Sequence, residues 1–216
     1  MAAEAQQHQR SARIVTDAET NELHREKMAR RKAARARMLA TKTEERGLLI
    51  VHTGLGKGKS TAAFGMVLRC IGHGMRVGIV QFVKGVWTSG ERTVLERFPD
   101  QVTIKVLGEG FTWDTQDRQR DIRAARQAWD AGTAMLADPR YHLVILDELN
   151  IVLRYDYLPL DEVLDALRAK RRDLHVVVTG RNAKPALIEL ADLVTDMTLV
   201  KHPFRAGVKA QKGIEF

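Results

Sequence analysis

Cysteine is almost missing: Cys70 is the single one in 216 residues, so no disulfide can close within the chain and a reducing cytoplasm is the expected compartment. With no ligand cluster around it, Cys70 reads as a small apolar residue of a packed helix. Long apolar runs are missing too. No stretch approaches the ~20 residues that would span a bilayer, and the opening "MAAEAQQHQRSARIV" lacks the apolar core of a secretory signal. A soluble intracellular protein with no membrane partner is expected. The seven histidines, at 8, 24, 52, 73, 142, 175 and 202, show no metal-site spacing. No Ser/His/Asp or Cys/His constellation for nucleophilic catalysis stands out, and the body of the chain holds no repeat or low-complexity tract.

What is present is a mixed, basic composition. At 44% hydrophobic and 29% charged, the chain suits one globular domain plus appended sequence. Its 35 Lys+Arg against 27 Asp+Glu give a net charge of +8, which welcomes an anionic partner such as nucleotide, nucleic acid or an acidic protein. The excess is uneven, because residues 1–46 hold eleven Lys/Arg against seven Asp/Glu. There, "ETNELHREKMARRKAARARMLATKTEERG" is rich in strong helix formers but has too few apolar positions for a wide buried stripe. Residues 1–46 are expected to be a basic arm, partly helical or disordered, ahead of a domain at 47–216.

From Gly47 the pattern changes. "LLIVHTG", "RVGIVQFVKG", "VTIKVLG", "HLVILDEL", "HVVVTG" and "LVTDMTLV" read as strands. Between them, "KSTAAFGMVLRCIG" closed by Gly72 and Gly74, Asp117 to Ala137, "LDEVLDALRAK" and "KPALIELA" read as helices. The long helix carries Ile122, Ala125, Trp129 and Met135 as its apolar positions. Strands and helices alternate, and the strands are continuous apolar runs. The expected fold is therefore α/β, three-layered, with a mostly parallel sheet covered on both faces.

After the first strand comes Gly54-Leu55-Gly56-Lys57-Gly58-Lys59-Ser60. Its Gly-Lys-Ser ending is that of a P-loop, whose backbone N–H groups wrap phosphates while the lysine reaches the outer ones. The Ser60 hydroxyl would ligate Mg²⁺ (or Mn²⁺). One departure stands out: the usual spacing puts a glycine five residues before Gly58, where Thr53 stands. The strand before and the helix after supply the setting the mechanism requires. The fold is then of the P-loop NTPase, RecA-like kind. A second acidic site should accompany it. Asp147 and Glu148 end the strand "HLVILDEL", where a parallel sheet brings strand ends beside the first loop and a carboxylate can reach the metal or its waters. The same two acids could instead cap the following helix. Gln81 and Lys84 end the second strand, and Arg181 and Asn182 follow "VVVTG", so all four sit on the ligand-binding edge, where contacts to a bound substrate compete with plain solvation.

A P-loop leaves kinase, ATPase, helicase and switch readings open. The sequence resembles one family further: the P-loop type cob(I)alamin, or corrinoid, adenosyltransferases. The pieces that carry the resemblance are "TGLGKGKSTAAFG", "GHGMRVGIVQFVKG", "GERTVLERFP", "GEGFTWDTQD", "VILDELN", "YDYLPLDEVLDAL", "VVVTGRNA" and "VKHPFRAGVKAQKGIEF". They cover nearly all of 47–216 in order, and match the arm only loosely. Leu55 stands where the family usually has a polar residue, often Asn, and Ser60 where it has Thr.

The resemblance implies transfer of the 5′-deoxyadenosyl group of ATP to the cobalt of a reduced corrinoid (cobalamin, cobinamide or cobyrinic acid a,c-diamide), releasing triphosphate. Co(I) is itself a strong nucleophile, so the protein needs no base or nucleophile of its own. Charge then grows on the departing triphosphate, where Lys59, the loop amides and Mg²⁺ can meet it. The nucleotide contacts implied are Thr53, Gly54, Leu55, Gly56, Lys57, Gly58, Lys59, Ser60 and Thr61, with Gln81, Lys84, Arg181 and Asn182 nearby. The metal contacts are Ser60, Asp147 and Glu148, and Glu148 joins Lys59 in the catalytic set. The family also implies a nucleotide laid in the reversed sense along the loop. Phe111 and Trp113 of "GFTW" would lie against the lower face of the corrin ring and displace its axial ligand. A homodimer and a reductase such as flavodoxin are the implied partners. The rival readings are a RecA-like ATP-dependent nucleic-acid-binding protein, prompted by the loop, the acid pair and the basic arm, and an ATP sensor without chemistry; the body shows no track for single strands, and no nucleic acid is expected.

Overall fold

The computed structural model describes residues 17–83, 89–107 and 117–215. The chain divides between Glu45 and Arg46 into two units. In the first, α1 (Asp17–Ala40) is a 24-residue helix with no buried residue. Asp17 and Glu19 in its first turn and Arg37 in its last complement the helix dipole. Glu22 pairs with Arg25, and Glu26 with Arg30, along its surface.

The second unit runs β1 (Leu49–Thr53), α2 (Lys59–Gly72), β2 (Val77–Gln81), α3 (Gly90–Leu95), β3 (Val102–Val106), α4 (Arg118–Ala137) and β4 (Leu143–Asp147). It continues with α5 (Leu149–Arg154), α6 (Leu160–Arg168), β5 (His175–Thr179), α7 (Pro185–Leu190) and β6 (Leu193–Asp196). The strands form one six-stranded sheet in the order β3-β2-β4-β5-β1-β6, and every pairing is parallel. The three-layer α/β expectation is met.

Both faces of the four inner strands β2, β4, β5 and β1 are buried, and successive residues of each strand serve opposite faces. Leu49, Val51, Val80, Val144, Leu146, Val176 and Val178 pack with α4 to α7 around Trp129, Leu153, Leu164 and Leu187. Ile50, Val77, Ile79, Leu143, Ile145 and Val177 pack with α2 and α3 through Ala63, Phe64, Val67 and Leu95. This explains why hydropathy shows unbroken apolar runs rather than alternation. Trp129 is 1% exposed, and its indole N–H finds Glu162 Oε1 at 2.9 Å, so the polar tip of the largest core residue is satisfied. Cys70 is half-buried beside the α2 cluster, and burial pushes its thiol up. No helix among the described residues is long and apolar enough to cross a membrane.

Two strands end earlier than the sequence reading placed them. The second strand ends at Gln81 and the last at Asp196, where apolar residues beyond had suggested longer strands. Past Asp196 the chain leaves the sheet to cross the loop after β1, Met197 receiving the Gly56 N–H at 2.6 Å. The short helices α3 and α5 are new. α3 starts on Ser89, whose side chain accepts the Arg92 N–H.

Candidate active site

The parallel sheet sends the C-terminal ends of β1, β2, β4 and β5 to one edge, where ligands of open α/β sheets bind. β1 leads into the loop 54–58, and α2 begins at Lys59 with Gly58 as its N-cap at φ 106°. Gly58 has no side chain to cap the helix, and the first turn carries no acid. The leading amides of a 14-residue helix therefore face a site that favours anions. Thr53, at the position of the usual first glycine, directs its hydroxyl to accept the Ala183 N–H at 3.1 Å. The departure from the common spacing thus ties β1 to the segment after β5.

Lys59 is 6% exposed. Its ammonium donates to the carbonyls of Gly54 at 3.0 Å and Gly56 at 2.5 Å, and its own carbonyl sits 3.1 Å from His52 Nδ1. Burial lowers its pKa, against the opposing pull of Glu148.

Ser60 donates its hydroxyl to Asp147 Oδ1 at 2.7 Å, although β5 lies between β1 and β4 in the sheet. Asp147 is 3% exposed and also accepts from Thr179 Oγ1 at 2.7 Å and Gln81 Nε2 at 3.0 Å. Three donors from α2, β5 and β2 thereby fix one carboxylate. Thr179 Oγ1 in turn accepts the Glu148 N–H at 2.9 Å, and Glu148 lies in the left-handed region at φ 64°. Glu148 Oε2 is buried with no hydrogen-bond partner. Burial first, and the Asp147 charge second, raise its pKa to about 7.

The hard-oxygen set of Ser60, Asp147 and Glu148 fits Mg²⁺, a cation that takes a few protein oxygens and completes its shell with water and phosphate. No group of three His, Cys, Asp or Glu suited to a metal occurs among the described residues.

Around this centre the expected residues separate. Arg181 is exposed, yet its charge acts on both Lys59 and Glu148. Asn182, at φ 57°, lines a hollow of about 460 Å³ with Gly54, Leu55, Asp196 and Arg205. Leu55 is 52% exposed. Lys57 pairs with Glu215. Thr61 faces an apolar cleft with Phe64, Leu68 and Val94. Lys84, Phe111 and Trp113 lie outside the described residues. Sequence reasoning missed Thr179, whose one local signal was a hydroxyl at a strand end; its place beside the acid pair comes from the strand order. It also missed Asn150, fully buried, whose amide donates to the Gly180 carbonyl at 2.9 Å; it ends the matched piece "VILDELN", but nothing in the sequence gave it a role.

Comparison with known proteins shows the family. The family described as ATP:corrinoid adenosyltransferase BtuR/CobO/CobP matches residues 45–216. The chain belongs to the ATP:corrinoid adenosyltransferase family. A corrinoid adenosyltransferase of Pseudomonas aeruginosa is 57% identical over 198 residues, covering 92% of this chain and 98% of that protein. One from a Sinorhizobium species is 55% identical, over 89% and 91% of the two chains. Corrinoid adenosyltransferase CobA of Salmonella typhimurium is 51% identical, over 82% and 90%. The family match spans the loop, the acid pair and the C-terminal segment, so in this adenosyltransferase every residue of the Ser60–Asp147 centre lies within it.

Proposed function

We propose that this adenosyltransferase joins the C5′ carbon of ATP to the Co(I) centre of a reduced corrinoid, with triphosphate as the leaving group. The cobalt supplies the electron pair of the new Co–C bond, and the C5′–O bond breaks with its pair moving to the triphosphate. The observation that supports this most is the Lys59–Ser60–Asp147 arrangement on the loop of a family member: a cradle for a polyphosphate whose negative charge rises as the bond breaks. The loop amides and Lys59 bind and orient the triphosphate, while Arg181 adds positive charge beside them. Gln81, Lys84 and Asn182 are assigned contacts to nucleotide or corrinoid, and Thr53, Gly54, Leu55, Gly56, Lys57, Gly58 and Thr61 complete the nucleotide contacts.

Ser60, Asp147 and Glu148 would hold Mg²⁺ or Mn²⁺, which when bound neutralises charge on the phosphate oxygens. Phe111 and Trp113 are assigned to the lower face of the corrin ring, where large apolar surfaces exclude water and an axial ligand from the cobalt. The same reading includes a homodimer, a flavodoxin-type electron donor, a cytoplasmic setting and no nucleic-acid partner. Incubation with ATP, Mg²⁺ and chemically reduced cobalamin should yield a light-sensitive Co–C product; absence of that product overturns the proposal.

A further inference from the structure

The loop that would hold the phosphates is itself held by the last part of the chain. The Gly56 N–H donates to the Met197 carbonyl at 2.6 Å, and the Met197 N–H donates to the Thr53 carbonyl at 2.9 Å. A Cβ on Gly56 would lie 2.5 Å from Met197 O, so the approach is backbone on backbone. One loop amide is thereby committed to the protein rather than to a ligand. After the 3₁₀ turn Pro203–Ala206 the chain returns to the same loop: the Glu215 carboxylate pairs with the Lys57 ammonium, 158 residues away in sequence. The Ile214 and Glu215 N–H groups donate to the Gln211 carbonyl at 3.2 and 2.9 Å, a turn that presents the carboxylate, whose side chain is 17% exposed.

Lys57 differs from Lys59 in a way that matters. Lys59 is buried and donates to two loop carbonyls. The Lys57 side chain is 47% exposed and sits between Gly56 and Gly58, in the stretch whose amides would face phosphate. A carboxylate and a phosphate oxygen are both anionic acceptors for one ammonium, and holding both there would set like charges side by side. A partly exposed pair of this kind is weak, so a polyphosphate can displace it.

We propose that the C-terminal segment is an internal competitor for the phosphate loop, with the Glu215 carboxylate holding Lys57 until a nucleotide phosphate takes its place. The inference rests on the nucleotide assignment of the loop and not on adenosyl transfer, so binding alone tests it. Calorimetry on the full chain with Mg²⁺, using ATP and, separately, inorganic tripolyphosphate, should show Glu215→Gln tightening Kd by about two- to fivefold, the strength of a partly exposed ion pair that the phosphate no longer has to displace. Lys57→Ala should weaken binding, and Glu215→Gln added to it should change nothing further. Hydrogen exchange at the Ile214 and Glu215 amides of the wild type should quicken on adding ATP. Unchanged or weaker binding by Glu215→Gln, the same gain in the Lys57→Ala background, or exchange unaltered by ATP would each overturn the proposal. If the wild type binds ATP and these signs are missing, the competitor falls alone; if it binds neither probe, the nucleotide assignment falls with it.

Discussion

Ser60 Oγ stands 2.7 Å from Asp147 Oδ1, joining the first turn of α2 to the end of β4 past the intervening strand β5. Asp147 is the acceptor for Thr179 and Gln81 as well, so one carboxylate carries the alignment of three elements. Replacing it by Ala leaves these donors without their acceptor. Asp147→Ala should lower stability by about 2–4 kcal/mol, since each buried group left unpaired costs ~1–3 kcal/mol. Turnover should fall further than stability explains, by roughly a hundredfold or more, as expected when the group that positions the Ser60 hydroxyl and would help hold the phosphate-bound cation is lost. Ser60→Thr, which keeps the hydroxyl, should stay within a fewfold of wild type while Ser60→Ala does not. Urea unfolding and turnover at saturating ATP separate the two effects.

Glu148 should give the protein an inverted pH response. Its carboxyl has an ordinary value of 4.5 and is raised to about 7 in the fold, so between those limits the folded state holds a proton that the unfolded chain has released. The stability it contributes is full below about pH 4.5, is lost as pH rises through about 7, and levels off above that. The ceiling is about 3 kcal/mol from the size of the shift. Unfolding of wild type and Glu148→Gln, with a chelator present, should show the wild type losing stability relative to the variant from pH 5 to pH 8. Parallel pH curves would contradict this.

Gly180 should not tolerate a side chain. Its φ is +123°, and a Cβ would lie 2.8 Å from the Asn150 Cβ and 3.0 Å from Glu148 Oε2. Gly180→Ala is expected to cost about 1–3 kcal/mol from backbone strain alone, with a further loss of turnover from a displaced Glu148. Circular dichroism melts and steady-state rates check both halves.

These residues also mark how far the sequence could be read. The parallel sheet was legible because fully apolar strands alternate with helices, and the phosphate loop because glycines and a lysine stand between a strand and a helix. The strand order was not. That β5 separates β1 from β4, and so puts the Thr179 hydroxyl between Asp147 and the Glu148 amide, follows from packing of non-neighbouring segments that no local pattern encodes. The Lys57–Glu215 pair is hidden for the same reason. The left-handed Glu148 was also invisible, because glutamate has no preference for that conformation and the Thr179 hydroxyl that accepts its N–H comes from a distant segment.

Phe111 and Trp113 are assigned to the corrinoid rather than to the nucleotide, and their loss should depend on the oxidation state of the starting cobalt. The double variant Phe111→Ala with Trp113→Ala should slow product formation from Co(II) by roughly tenfold or more relative to its effect on preformed Co(I), since only the former needs the axial ligand removed. Equal losses from both starting states would remove these residues from the lower face.

The central claim, attack at the sugar carbon rather than at phosphorus, is tested most directly by the fate of ATP labelled in both its adenosine carbon and its terminal phosphate. With Mg²⁺ and reduced cobalamin, the account predicts intact triphosphate carrying the phosphate label and a corrinoid carrying the adenosine label in equal amounts. Labelled orthophosphate or ADP as the product, with the corrinoid unlabelled, would contradict it.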